Sequence, residues 1–102
     1  MLTGVVVENT ATGDESTLHP AGVFIFIGMV PNSQFARDPL RLDDAGFITT
    51  DRTLETSVPG VFACGDVRSG STKQVASAAG EGATAALMIR DYLEHKDDVA
   101  PT

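Results

Sequence analysis

From Lys73 to Glu94 the sequence places apolar or small residues at Val75, Ala79, Gly82, Ala86, Ile89 and Leu93, in alternating steps of four and three. That period is one stripe of an α-helix, and it predicts a helix over about residues 73–94. The first half of this helix is small throughout, with Ala76, Ser77, Ala78, Gly80 and Ala83 beside the stripe. Gly80 and Gly82 each cost about 1 kcal/mol against alanine in a helix interior. Side chains this small permit close approach of a sheet, another helix or a ligand, which offsets that cost.

Upstream, the punctuation predicts short strands. Leu2 to Val7 is β-branched, Asn9 to Asp14 is dense in turn residues, and Glu15 to His19 reads as the returning strand of a hairpin. Val23-Phe-Ile-Phe-Ile27 is a continuous apolar run ended by Gly28. Its lack of alternation predicts a strand buried on both faces. Pro31-Asn32 marks a loop, Gly46 to Thr50 a further strand, and Pro59-Gly60 a turn into a short buried strand, Val61 to Cys64. The tail from Lys96 to Thr102 is mostly polar and is expected to fray.

Composition narrows the function classes. A net charge of −7 argues against nucleic acid and anionic membrane as partners, because phosphate binding needs a basic surface. The longest apolar stretch, Val23 to Val30, is far short of the ~20 residues that span a bilayer. The N-terminus lacks a secretory pattern. Cys64 is the only cysteine, so the chain holds no internal disulfide and no Cys-x-x-Cys pair. A single cysteine fits a reducing cytoplasm, the expected location.

The chemistry-bearing stretch is Pro59-Gly-Val-Phe-Ala-Cys-Gly-Asp-Val67, followed by Lys73-Gln-Val-Ala76 at the helix start. A strand that ends at Gly65 lets a ligand approach the backbone. Asp66 then stands at a strand's carboxyl end, where open α/β sheets place their ligands. The free N–H groups of the following helix favour negative charge. A carboxylate beside a helix N-terminus suits a ligand with sugar hydroxyls and a group that becomes anionic, and reduced flavin is such a ligand. Asp66 alone could equally cap a turn.

Glu55 to Val67 resembles the second flavin motif of flavoproteins with two dinucleotide-binding domains, and within that group the sequence is similar to the thioredoxin reductase family. Three anchors carry the resemblance: Ile27-Gly28…Pro31-Asn32, Gly65-Asp66-Val67, and Lys73-Gln74-Val75 before the Ala/Gly-rich helix. With the flanking strand and helix they cover about residues 23–93.

The resemblance implies an α/β fold, a fragment of a FAD/NAD(P)-binding three-layer sandwich with a β-meander segment at its N-terminus. Residues 1–28 would be the terminal meander and return strand of the NADPH domain, and residues 29–102 the C-terminal part of the FAD domain. It further implies that Asp66 binds the flavin ribityl chain beside Gly65, and that Gln74 and Val75 turn backbone N–H groups to the pyrimidine edge. Lys73 opens the helix; many relatives carry arginine there, and lysine keeps the charge without the planar fork. The Arg68 to Thr72 loop resembles oxidoreductases related to thioredoxin reductase.

Two absences shape the expected activity. The chain has no Gly-x-Gly-x-x-Gly after a strand, so neither dinucleotide phosphate loop is present, and it has no dithiol. The expectation is therefore the C-terminal FAD-binding portion of an enzyme that moves hydride from NADPH to FAD and electrons to a disulfide. The chain would be inactive by itself and would contribute no catalytic residue. Its expected partners are the missing N-terminal half, a second copy in a homodimer, and thioredoxin or another disulfide protein. One alternative is a ferredoxin–NADP reductase-type flavoprotein without a dithiol. Another is a stand-alone packing or dimerisation module built on the Ala/Gly-rich helix.

The remaining candidates read as structural. Cys64 is expected as a buried structural cysteine between apolar neighbours. His19 and His95 are isolated surface or loop residues, Asp43-Asp44 and Asp97-Asp98 are solvated, and no metal site is expected. Ser71 occupies the position where a P-loop needs lysine, which excludes that motif.

Overall fold

Val5–Glu8 and Glu15–Leu18 form an antiparallel pair, β1 and β2, with Val5 opposite Leu18 and Glu8 opposite Glu15. The computed structural model describes residues 1–97. Asn9 sets the turn between the strands: its side-chain Oδ1 accepts the Ala11 N–H at 2.9 Å, and its carbonyl accepts the Gly13 N–H at 2.7 Å. A two-stranded ribbon is at best marginally stable alone, and most of this one is exposed.

Val23 to Ile27 departs from the expected buried strand. The segment forms no regular element and has no ladder partner among the described residues, and Phe24 and Phe26 are 84% and 90% exposed. Their rings stack at 6.1 Å between centroids. The reason for the departure is the lack of neighbouring strands: an apolar run on two faces is buried only when sheet partners and covering layers are present.

The main body begins at a 3₁₀ turn, Gln34–Ala36, and is built from tight hairpins. Leu42 bridges Ile48, Glu55 bridges Phe62, and Ile48 pairs in parallel with Arg68. Gly46 to Thr50 and Val61 to Cys64 thus contribute only isolated bridges, two at Ile48 and one at Phe62, where strands are expected, because the flanking turns close after one or two hydrogen-bonded pairs. A small core gathers Ala36, Ile48 and Ala63, with Leu40, Leu42 and Val67 packed against it.

The long helix α1, Val75–His95, crosses this body. It starts two residues later than expected because Lys73 takes a left-handed conformation (φ 58°) and Gln74 is extended (φ −117°, ψ 147°). Its packed face is also displaced. Ala78, Glu81, Ala85, Met88 and Tyr92 turn inward, whereas Val75, Ala79, Ala86, Ile89 and Leu93 are exposed. The packed stripe runs one residue N-terminal of Gly82 and its neighbours, about 100° round the helix. Near the end of α1, Tyr92 meets the Phe62 ring edge-on at 6.0 Å. Gly60, at φ +81°, makes room there: a Cβ would sit 3.1 Å from the Tyr92 hydroxyl.

Of the expected frayed tail, residues 98–102 lie outside the described residues, and with them Asp98. The radius of gyration is 21.0 Å, against about 13 Å for a compact domain of this length. The accessible surface is 8093 Å², against about 5,500 Å² for a compact monomer of this mass. Large apolar side chains are exposed on the β1–β2 ribbon, on the run before Pro31 and on α1.

Candidate functional site

Gly65 to Arg68 form a turn in which the Arg68 N–H donates to the Gly65 carbonyl at 3.1 Å. Gly65 stands at φ +85°, a left-handed conformation that a side chain opposes. Space is not the restriction, since a Cβ would meet the nearest atom, Ala78 Cβ, at 3.8 Å. The turn presents Asp66 outward, exposed and hydrogen-bonded to no described residue.

Asp66 and Val67 line one wall of an open cavity of about 500 Å³. Met29, Val30, Pro31, Asn32, Phe35 and Phe47 complete its lining. Two of the sequence anchors, Pro31-Asn32 and Asp66-Val67, therefore converge on one mostly apolar cavity. The third anchor adjoins it through Phe47: the Lys73 ammonium lies 3.8 Å from the centroid of that ring. Cation–π contact of this kind holds Lys73 over an aromatic face, and its Nζ also reaches the Ser71 carbonyl at 3.5 Å.

Gln74 occupies the N-cap of α1 and makes no side-chain cap hydrogen bond. The first backbone bond of the helix runs from the Ala78 N–H to the Gln74 carbonyl at 2.9 Å. The N–H groups of the first turn, Val75 among them, precede that bond and are available to an acceptor. Val75 itself is 89% exposed.

These features fit a flavin. An unpaired carboxylate can accept from ribityl hydroxyls, and free N–H groups at a helix start can donate to the pyrimidine edge. The apolar walls suit a ring system.

Sequence reasoning missed what holds the site together. The Glu81 carboxylate accepts the Gly65 N–H at 2.6 Å and two guanidinium donors of Arg68, Nε at 2.9 Å and Nη2 at 2.5 Å. The Arg68 guanidinium, chiefly, holds the Glu81 carboxyl below its ordinary value, with the Gly65 N–H and the Lys73 charge adding to the effect. No signal in the sequence marks this clasp, since Gly65 and Arg68 lie 16 and 13 residues from Glu81. Asp43 is likewise not merely solvated, as expected, but bonded. It accepts the Ser69 hydroxyl at 2.6 Å and the Phe47 N–H at 2.9 Å, and these bonds lower its pKa. Cys64 corrects another expectation: it is exposed, since its neighbour Ala63 takes the core position. Among the described residues Asp91, Glu94 and His95 cluster on the exposed end of α1.

No helix among the described residues is long and apolar enough to cross a membrane. The chain matches the pyridine nucleotide-disulphide oxidoreductase family over residues 2–82. It is 41% identical over 92 residues to an alkyl hydroperoxide reductase component of Staphylococcus aureus (strain Mu50), covering 90% of this chain and 18% of that protein. It is 40% identical over 92 residues to a 34.2 kDa protein in the rubredoxin operon of Clostridium pasteurianum, covering 90% of this chain and 30% of that one.

Among solved structures, T. acidophilum thioredoxin reductase superposes with a TM-score of 0.73 at 43% identity, covering 89% of this chain and 31% of that one. Thioredoxin reductase from Streptococcus pyogenes gives 0.73 at 40% identity, covering 90% and 30%. The expected α/β class and the likeness to part of a thioredoxin reductase are thus both found. The chain spans between about a fifth and a third of the length of these relatives. The chain belongs to the pyridine nucleotide-disulphide oxidoreductase family.

Proposed function

We propose that the chain supplies the ribityl and pyrimidine side of an FAD site in an NADPH-dependent disulfide oxidoreductase of the thioredoxin reductase type. The observation that carries this reading is the unpaired Asp66 carboxylate, set on a positive-φ glycine turn at the wall of an apolar cavity, near the open start of α1. In this reading Asp66 holds ribityl hydroxyls, and Gly65 gives the turn its backbone shape. Gln74 and Val75 offer N–H groups to the pyrimidine edge, and Lys73 adds positive charge beside it. When bound, FAD supplies two-electron chemistry between NADPH and a disulfide. Residues 1–28 belong to the NADPH domain and residues 29–102 to the FAD domain.

The remaining parts of the enzyme come from elsewhere. The phosphate loops and the dithiol belong to the rest of a complete enzyme, so the chain alone is inactive. The exposed Val23–Val30 run and the outer stripe of α1 are the surfaces that this remainder covers. The complete enzyme works as a cytoplasmic homodimer, and its electron acceptor is thioredoxin or another disulfide protein. The names of the relatives support this class of acceptor.

The direct test is Asp66→Ala in the complete enzyme. FAD affinity, titrated into apoprotein, is expected to weaken by about 1.5–3 kcal/mol, the scale of a hydrogen bond to a charged group. Unchanged affinity would remove Asp66 from the site.

A further inference from the structure

Asp66 makes no hydrogen bond of its own to the described residues, so its position depends on what holds the turn around it. Residues on either side of it are tied to one side chain. Glu81 Oε2 accepts the N–H of Gly65, immediately before Asp66. Glu81 Oε1 accepts from Nε and Nη2 of Arg68, two residues after it. The remaining Arg68 nitrogen, Nη1, donates to the Ser69 carbonyl at 3.0 Å, which fixes the guanidinium plane. Both side chains are largely shielded, at 20% and 16% exposure, so water competes weakly for these bonds.

We infer that Glu81 is a positioning residue that holds the Asp66 carboxylate in fixed relation to the start of α1, acting through Gly65 and Arg68. The inference rests on the flavin reading above and adds a residue to it. Glu81 lies six residues into α1, a rise of about 9 Å from Val75. The clasp therefore grips the body of the helix and leaves the first-turn N–H groups available to a ligand. It also consumes the Gly65 N–H, so the glycine acts through backbone shape and not as a donor to ligand. Three donors converge on two carboxylate oxygens. A glutamine is nearly the same size, but it has one acceptor oxygen and would turn an NH₂ toward another donor. A carboxylate is thus specifically required, beyond any need to fill space.

The test is a double-mutant cycle in the complete enzyme. FAD is titrated into the apo forms of the parent, Glu81→Gln, Asp66→Ala and the double variant. Gly65 amide exchange is followed by NMR in each. Glu81→Gln is expected to raise the FAD Kd about tenfold, the scale of one charge-assisted hydrogen bond. In the Asp66→Ala background it should raise it no more than about twofold, because a residue acting through Asp66 has nothing left to position. Gly65 amide exchange should quicken in both Glu81→Gln forms. If Glu81→Gln does not fold, Arg68→Lys, which keeps the charge and loses the fork, replaces it in the cycle.

An equal loss of affinity in both backgrounds would show a general structural role and overturn the inference, as would no loss at all. A parent enzyme that binds no FAD would sink the flavin reading instead. The Gly65 amide would then decide the clasp separately, since exchange unaffected by Glu81→Gln contradicts the clasp whatever the ligand.

Discussion

Glu81 grips Gly65 and Arg68 from the body of α1, and Asp66 projects from the turn between them. The turn that carries Asp66 was legible, because Gly65 before it and the flanking motifs fix a turn at the end of an apolar run. Cys64 was not: a residue beside a buried strand position faces in or out according to register, and Ala63 takes the inward place. The exposed thiol is expected to react with a maleimide without denaturant, yet Cys64→Ser should leave turnover of the complete enzyme largely intact, because the site makes no use of it. A large loss of turnover in a folded, flavin-loaded variant would contradict this. Glu81 was missed because its partners, Gly65 and Arg68, lie 16 and 13 residues away, and composition carries no sign of such pairing. Its carboxyl is held below its ordinary value of 4.5, so the folded state binds the proton less well than the unfolded chain does. That contribution is fully present above about pH 5 and is lost as pH falls through the lowered value. Asp43 and Asp51, lowered by their own hydrogen bonds, add to the same acid window. Glu81→Gln should flatten, though not abolish, the fall in the urea midpoint of the complete enzyme between about pH 5 and pH 3. An unchanged pH profile would mean that the clasp is not formed in solution.

At the scale of elements, the β1–β2 hairpin and α1 follow from period and punctuation, as expected. The rotation of α1 does not. Its apolar stripe, Val75 to Leu93, faces out, while the stripe containing Glu81 and Ala85 packs against the hairpins. Periodicity identifies an apolar face but not which layer covers it, and a helix with small residues all round can pack on two sides. Val23 to Ile27 repeats the lesson: two apolar faces imply two covering layers, and neither is supplied by the described residues. The start of α1 lends itself to a sharper test. Val75 is the first helical residue, where proline is tolerated because that N–H has no helical partner. Val75→Pro should keep the helix and delete one donor to the pyrimidine edge, which gains negative charge on reduction. A bond worth about 1.5–3 kcal/mol corresponds to a fall of roughly 30–60 mV in the two-electron flavin potential. Val75→Ala, which removes packing but keeps the N–H, is the control and should leave the potential near the parent's. Equal potentials in all three flavin-loaded proteins would take the Val75 N–H out of the site.

At the scale of the whole molecule the chain is extended, with a radius of gyration of 21.0 Å. Its surface exceeds that of a compact monomer by roughly half, and no large side chain is fully buried among the described residues. The likeness to thioredoxin reductases covers nine-tenths of this chain but about 31% of theirs. The proposed ribityl and pyrimidine half-site would have no phosphate loop, and much of the affinity for a dinucleotide belongs with the group that binds the pyrophosphate. The most direct measurement is FAD binding, by quenching of flavin fluorescence, to the 102-residue chain alone and to the chain joined to the remaining portion of a thioredoxin reductase. No retained flavin on the chain alone and one FAD per complete protein is the expected result. Stoichiometric FAD on the chain alone, or none on a folded complete protein, would contradict a shared flavin site.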